Sequence, residues 1–347
     1  MDPGTDIVTP HGRTLLDACL LGNVAPSHFW SRAMFSLPEL EAAATLVHQA
    51  FPGTPQYDWP LLAQRLGTPV WVKHENHTPA GAFKVRGGLV YVQGLRPGHR
   101  GIISATRGNH GQSLAYAGAR FGVPVTITMP VGNSAEKNAA MAAFGARLVA
   151  HGADFEAAVQ EARRLAVSED LIFVPSFHPD LVRGVATYAL ELFRSVPNLD
   201  VLYCPIGLGS GICGAIRTRD LLGLRTEIVG VQSTGADAYA RSFAAGHVIT
   251  NNRADTLADG MATREPNADA VAMIQTGAAR IVTVTDDELA AAIRAYWTDT
   301  HNLAEGAGAA PLAAALQERS RLTGKRVGVV LSGGNIDLAL FKSWVLV

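Results

Sequence analysis

Cysteine is scarce in this chain: Cys19, Cys204 and Cys213 are the only three in 347 residues. An odd count without framework spacing excludes a disulfide scaffold and suits a reducing compartment. Each of the three reads as a small buried hydrophobe rather than a nucleophile. An excess of charge of one sign is also missing. The formal net charge is −1, and the arginine pairs are scattered without a basic stripe. That removes the electrostatic footprint of nucleic-acid binding or of an anionic membrane surface. No apolar run is long enough to span a bilayer. Met1–Gly22 lacks a basic region followed by a long apolar stretch, so no secretory leader is expected. No HExxH occurs, and His74, His77, His110, His151 and His178 do not fall at metal-ligand spacing. No GxSxG elbow occurs either. These absences leave the expectation of a cytoplasmic globular protein that works on small molecules.

What is present is apolar and glycine-rich. Hydrophobic residues make up 48% and charged residues 17%, so a sizeable core is expected, and 35 glycines suit many tight loops. The length allows two ordinary domains, or one large α/β unit with a lobe. Ser36-Leu37-Pro38-Glu39 reads as a capping box opening a helix to about Ala50. Short apolar strands are expected at 70–72, 102–105, 125–129, 147–150, 172–174, 201–206, 228–231 and 327–331. Helices are expected at 82–93, 111–121, 135–144, 155–167, 181–194 and 306–322, with another opening at the Thr285–Glu288 capping box. Strand–helix alternation of this kind implies parallel sheet covered on both faces. Ligands in such sheets sit beyond the carboxyl ends of the strands.

Three chemistry-bearing segments fall at such ends. Gly207-Leu208-Gly209-Ser210-Gly211 follows a strand and opens a helix. Consecutive backbone N–H groups there can converge on a phosphate, with the helix dipole adding to the attraction; a purely structural glycine turn is the bland reading. Gly209–Gly214 also matches GxGxxG, but the next strand ends in Gln232 rather than the acidic residue a dinucleotide site needs. Ser104–Gly111 offers hydroxyl, guanidinium, amide and backbone donors suited to a carboxylate. Alternatively, its Asn109 merely caps a helix. Ser332-Gly333-Gly334-Asn335 closes the last strand and alone is an ordinary turn. A fourth segment, Asn76–Gly88, sets Lys84 between turn residues and an apolar helix.

Together these segments resemble the fold-type II pyridoxal phosphate enzymes, in the threonine/serine dehydratase and serine racemase branch. The resemblance runs from about Ser36 to Asn335. Phe83-Lys84-Val85-Arg86-Gly87 is similar to that branch's lysine motif, and Gly108-Asn109-His110 fits it better than the related synthases. The resemblance implies an α/β fold like the tryptophan synthase β chain. It has two domains, each an open, mostly parallel sheet flanked by helices. Residues 1–100 and 181–347 would form the larger, and 101–180 the smaller inserted one. It implies pyridoxal 5'-phosphate as cofactor. Lys84 would carry it as a Schiff base and act as the Cα base. Phe83 would pack near its ring, Asn109 would bond the phenolic oxygen, and Gly207, Leu208, Gly209, Ser210 and Gly211 would bind its phosphate. Ser332 would bond the pyridine nitrogen, with Glu305 near the ring. Ser104, Thr106, Arg107, Gly108, Asn109 and His110 would hold the substrate carboxylate.

The implied reaction is β-elimination on an L-β-hydroxy amino acid such as L-threonine or L-serine, giving a 2-oxo acid and ammonia. Hydroxyaspartate or phenylserine dehydration, amino acid racemisation and a non-catalytic, cofactor-holding regulatory protein are the alternatives. Arg107 departs from the branch, which has Ser or Ala there; in racemases that serine is the second base, and arginine is a poor one. Racemisation is therefore expected to be weak. Gln232, Asp237 and Ala238 lack the acidic set that binds a divalent cation in relatives, so no metal is expected. The chain ends at Val347, so no C-terminal regulatory domain is expected. A homodimer is.

Overall fold

The computed structural model describes residues 34–96 and 98–346. Cys19, the Met1–Gly22 segment and the irregular first thirty-odd residues lie outside the described residues.

The strands are β1 (Gln56–Asp58), β2 (Val70–His74), β3 (Ile102–Ala105), β4 (Val125–Met129) and β5 (Arg147–Ala150). They continue as β6 (Ile172–Phe173), β7 (Val201–Pro205), β8 (Glu227–Ser233), β9 (Arg280–Val284) and β10 (Val327–Leu331). They form a six-stranded sheet in the order β1-β2-β10-β7-β8-β9 and a four-stranded sheet in the order β5-β4-β3-β6. All pairings are parallel except β1 with β2, where Tyr57 sits opposite Val72.

Period-two alternation divides each sheet's side chains between two cores. In the large sheet Val70, Val72, Val201, Tyr203, Val229, Val327 and Val329 pack with helices Asp286–Thr300 and Gly306–Gln317 on one face. Leu202, Cys204, Ile228 and Val330 pack with helices Pro179–Ser195, Ser210–Leu221 and Ala268–Gly277 on the other. In the small sheet Ile102, Val125 and Ile127 meet helices Lys84–Gln93 and Asn109–Phe121. Ile103 and Ala105 meet helix Phe155–Ser168. Strands buried on both faces read as continuous apolar runs, which is why they were legible.

Both expected capping boxes form. The amide and hydroxyl of Ser36 donate to Glu39 at 2.7 Å each. The Thr285 amide donates to Glu288 at 2.7 Å, and the Glu288 amide returns to Thr285 Oγ1 at 3.2 Å. The first helix ends at His48 and the 306–322 helix at Gln317, followed by a 3-10 turn Arg319–Arg321. β1 and β9, and helices Pro60–Leu66, Ala238–Ala245 and Ala268–Gly277, were not expected. β1 and β9 are edge strands and only partly buried. Among the described residues no helix is long and apolar enough to cross a membrane.

Candidate active site

Four loops leave the carboxyl ends of parallel strands. After β2 the chain turns through 75–83 into helix Lys84–Gln93, and after β3 it turns through 106–108 into helix Asn109–Phe121. After β7 it passes Gly207–Gly209 into helix Ser210–Leu221, and after β10 it runs through Ser332–Asn335. Two of the loops are stitched together. Ala82 bridges Gly333, the Phe83 amide donates to the Ser332 carbonyl at 2.9 Å, and the Gly334 amide donates to that of Gly81 at 2.9 Å. The Glu305 amide donates to the Gly333 carbonyl at 3.1 Å. A Cβ on Gly333 would lie 2.5 Å from Glu305 Oε1, so a side chain there would displace the Glu305 carboxyl.

Lys84 begins its helix and keeps part of its surface open. Desolvation by the protein around its amine lowers its pKa, with the charges of Glu305 and Asp259 opposing. Asn109 Nδ2 donates to Glu305 Oε1 at 2.7 Å. Asn335 Nδ2 in turn donates to Asn109 Oδ1 at 2.8 Å and to the Ala80 carbonyl at 2.9 Å. Burial, reinforced by Asp259, pushes the Glu305 carboxyl up to about 7, against the pull of Lys137, Asn109 and Lys84. Its second oxygen, Oε2, is buried without a hydrogen-bond partner among the described residues. His110 Nε2 is likewise buried and unpartnered, and burial with the neighbouring Lys84 holds its ring down at about 3. Both groups are therefore polar atoms awaiting a partner.

The Gly207–Gly211 loop is a row of free donors. The first N–H after Ile206 that finds an acceptor among the described residues is that of Cys213, donating to Gly209 at 3.0 Å. Gly209 holds φ +96°, and a Cβ on Gly207 would lie 2.4 Å from the Gly260 carbonyl oxygen. Phe83 closes one side: its ring lies 3.4 Å from where a Gly211 Cβ would be and meets Tyr188 edge-on at 6.3 Å. Tyr188 and Tyr239 fix the loop by donating to the Gly211 and Leu208 carbonyls, each at 2.9 Å. Ser332 is buried beside this stitching.

Ser104 is not brought into this group. Its hydroxyl donates to the Val174 carbonyl at 2.8 Å within the small sheet. Thr106 Oγ1 accepts from the Gly108 amide at 3.2 Å. Arg107 is exposed, and its guanidinium has no partner among the described residues. Cys204 and Cys213 are buried, which pushes the Cys204 thiol up to about 12 and raises Cys213 as well, so neither is primed as a nucleophile. Gln232 Oε1 accepts from the Ala240 amide at 2.8 Å, and Asp237 accepts from Asn251 at 2.9 Å. Among the described residues no group of three His, Cys, Asp or Glu is placed to hold a metal. Sequence reasoning missed Lys137, whose amine bonds Asp259 beside Glu305 and Lys84. The partners are 122 positions apart, and no local pattern marks them.

The sequence profile of the pyridoxal-phosphate dependent enzymes matches residues 47–333. The chain belongs to that family. It is 32% identical over 295 residues to an L-threo-3-hydroxyaspartate ammonia-lyase of Saccharomyces cerevisiae, covering 84% of this chain and 90% of that protein. It is 36% identical over 283 residues to an L-threonine ammonia-lyase of Geobacter sulfurreducens, covering 80% of this chain and 69% of that one. Maize serine racemase superposes with a TM-score of 0.84 at 25% identity, over 89% of this chain and 96% of its own. The fold is therefore that of the fold-type II enzymes, and the cofactor is pyridoxal 5'-phosphate. The residues present fit it. Lys84 is an amine of lowered pKa, Gly207–Ile212 leave a run of N–H donors unused, and Glu305 Oε2 is an orphan that a ring substituent can satisfy.

Proposed function

We propose that the protein catalyses β-elimination on an L-β-hydroxy amino acid, such as threonine or serine, releasing a 2-oxo acid and ammonia. The reading is carried by Lys84, an amine with lowered pKa beside a free donor loop and a partly neutral carboxyl. Pyridoxal phosphate, when bound, supplies the electron sink for the charge left at Cα. Lys84 would hold it covalently at rest, and its freed amine would take the Cα proton. A lowered pKa leaves more of that amine unprotonated and able to act as a base. The Gly207–Gly211 amides would hold the phosphate and Phe83 would pack near the ring. Asn109 and Glu305 hold its phenolic side, fixed by Asn335. Ser332, a neutral hydroxyl, would bond the pyridine nitrogen, where it cannot fix a full proton as a carboxylate would. Thr106, Gly108, Asn109 and His110 would receive the substrate's α-carboxylate, Arg107 lies in the same loop, and residues 101–180 would act as the smaller domain carrying it. The relatives named as ammonia-lyases support the elimination. In the racemases that this chain resembles, a serine at the position of Arg107 serves as the second base, and arginine is a poor one, so D-serine formation from L-serine is expected to be slow.

The test is 2-oxo acid release by purified holoenzyme from threonine, serine, 3-hydroxyaspartate and phenylserine in every stereoisomer. At least one L-isomer should be turned over. Lys84→Ala should lose the visible absorbance of the lysine–cofactor linkage and about 10²- to 10⁴-fold in rate. Absence of 2-oxo acid from every substrate, or rapid racemisation in its place, would sink the reading.

A further inference from the structure

Two cations border the carboxylate loop, and the elimination chemistry itself consumes neither. Arg107 stands between Thr106 and Gly108, exposed and unpartnered among the described residues. Lys137 enters from helix Ala135–Ala143 with its stem over Gly108, where a Cβ would lie 2.9 Å from Lys137 Cδ. Asn133 Nδ2 donates to the Arg107 carbonyl at 3.2 Å, holding the two segments side by side. The Lys137 side chain is only 11% exposed, and its amine bonds Asp259, which stands in a turn outside the small sheet's segment. Asp259 thus balances Lys137, while Arg107 has no balancing carboxylate among the described residues.

An aliphatic β-substituent seated here would strip water from a guanidinium and return no hydrogen bond, which is costly. A carboxylate would return two parallel N–H···O bonds in the geometry guanidinium prefers. We infer that Arg107, supported by Lys137, recognises a second acidic group on the substrate's β-carbon, so that the preferred substrates are β-hydroxy amino acids of the 3-hydroxyaspartate type. This rests on the proposed elimination at the same site. The division of labour is between donor kinds. The amides at the start of helix Asn109–Phe121 take the α-carboxylate, and the Arg107 fork takes the β-carboxylate. Lys137, its charge balanced by Asp259, lays its stem over Gly108 and supports the loop that carries Arg107.

Malate and 3-hydroxybutyrate share one β-hydroxy acid skeleton and differ by a carboxylate in place of a methyl, as 3-hydroxyaspartate and threonine do. Calorimetric titration of the holoenzyme should find malate bound about tenfold to hundredfold more tightly, the effect of hydrogen bonds to a charged group. Added salt should weaken malate more than 3-hydroxybutyrate. Arg107→Ser should remove that preference, and Arg107→Lys should retain part of it. In turnover, the ratio of kcat/KM for threo-3-hydroxyaspartate over threonine should fall by a similar factor in Arg107→Ser. Equal binding of the two acids by the unmodified enzyme, or an Arg107→Ser variant that loses both alike, overturns the inference. Threonine turnover without a malate preference overturns it and leaves the elimination reading standing. A malate preference lost in Arg107→Ser, with no 2-oxo acid from any substrate, supports the acid site and removes the elimination.

Discussion

Glu305 concentrates the electrostatics of the site in one residue. Its carboxyl is pushed up to about 7 by burial, so the folded protein holds a proton there that the unfolded chain releases at lower pH. A raised acid pKa contributes stability that is fully present below the unfolded value of 4.5 and is lost as pH rises through about 7. His110 and His74, held down at about 3 and about 4, work in the opposite direction, since both favour the neutral ring. The net profile therefore hides the glutamate, and a difference measurement is needed to expose it. Glu305→Gln, which cannot titrate, should be no more stable than the parent near pH 5, gain on it up to about pH 7 and level off by pH 8, by thermal melts at matched ionic strength. A constant difference across that range would contradict the assignment. Lys84, Asn109, Glu305 and the glycine loop were legible in the sequence because each belongs to a short motif. Lys137 and Asp259 were not, because what joins them is tertiary distance alone.

Between elements, the position of Lys84 depends on how closely two helices approach. Helix Lys84–Gln93 lies on helix Pro179–Ser195 with almost no side chain between them. A Cβ on Gly184 would stand 2.3 Å from the Arg86 carbonyl oxygen, and one on Gly87 would stand 2.7 Å from that of Leu181. Neither contact can be relieved by a side-chain rotation, because both partners are backbone. Gly184→Val should therefore force the helices apart and destabilise by about 3 kcal/mol or more, read as a lower urea midpoint. It should also raise KM, since the helix that moves begins at Lys84. Periodicity revealed the two helices and most parallel strands, whose apolar runs reflect burial on both faces. It did not reveal β9, although Ile281, Val282, Thr283 and Val284 are β-branched, nor which helix rests on which. Edge strands have weaker patterning because one side is solvated.

At the scale of the whole molecule, a buried ion cluster ties the site to the large sheet. Arg86, two residues after Lys84, is fully buried. It donates to Glu75 at 2.7 Å and 3.0 Å, to Glu191 at 2.6 Å and 2.9 Å, and to Thr187 at 2.9 Å. Lys73, from β2, adds a bond to Glu191 at 2.6 Å. Against the desolvation of burial, Arg86 and Lys73 hold the Glu191 carboxyl at about 2. The cluster joins β2, the turn after it, the Lys84 helix and helix Pro179–Ser195. Arg86→Met would leave its acids underbalanced in a low dielectric, at a cost of about 3–5 kcal/mol in denaturant unfolding. An unchanged midpoint would show that the cluster relaxes or admits water. The sequence by itself determined the α/β class, the family and the cofactor, because apolar periodicity and short motifs are local quantities. Tertiary structure alone decided that Ser104 is committed to Val174, that Asp259 neutralises Lys137, and that Arg107 is left without a partner among the described residues. Those outcomes depend on which distant charges and acceptors folding brings within a few ångströms, and local sequence pattern carries no record of that distance.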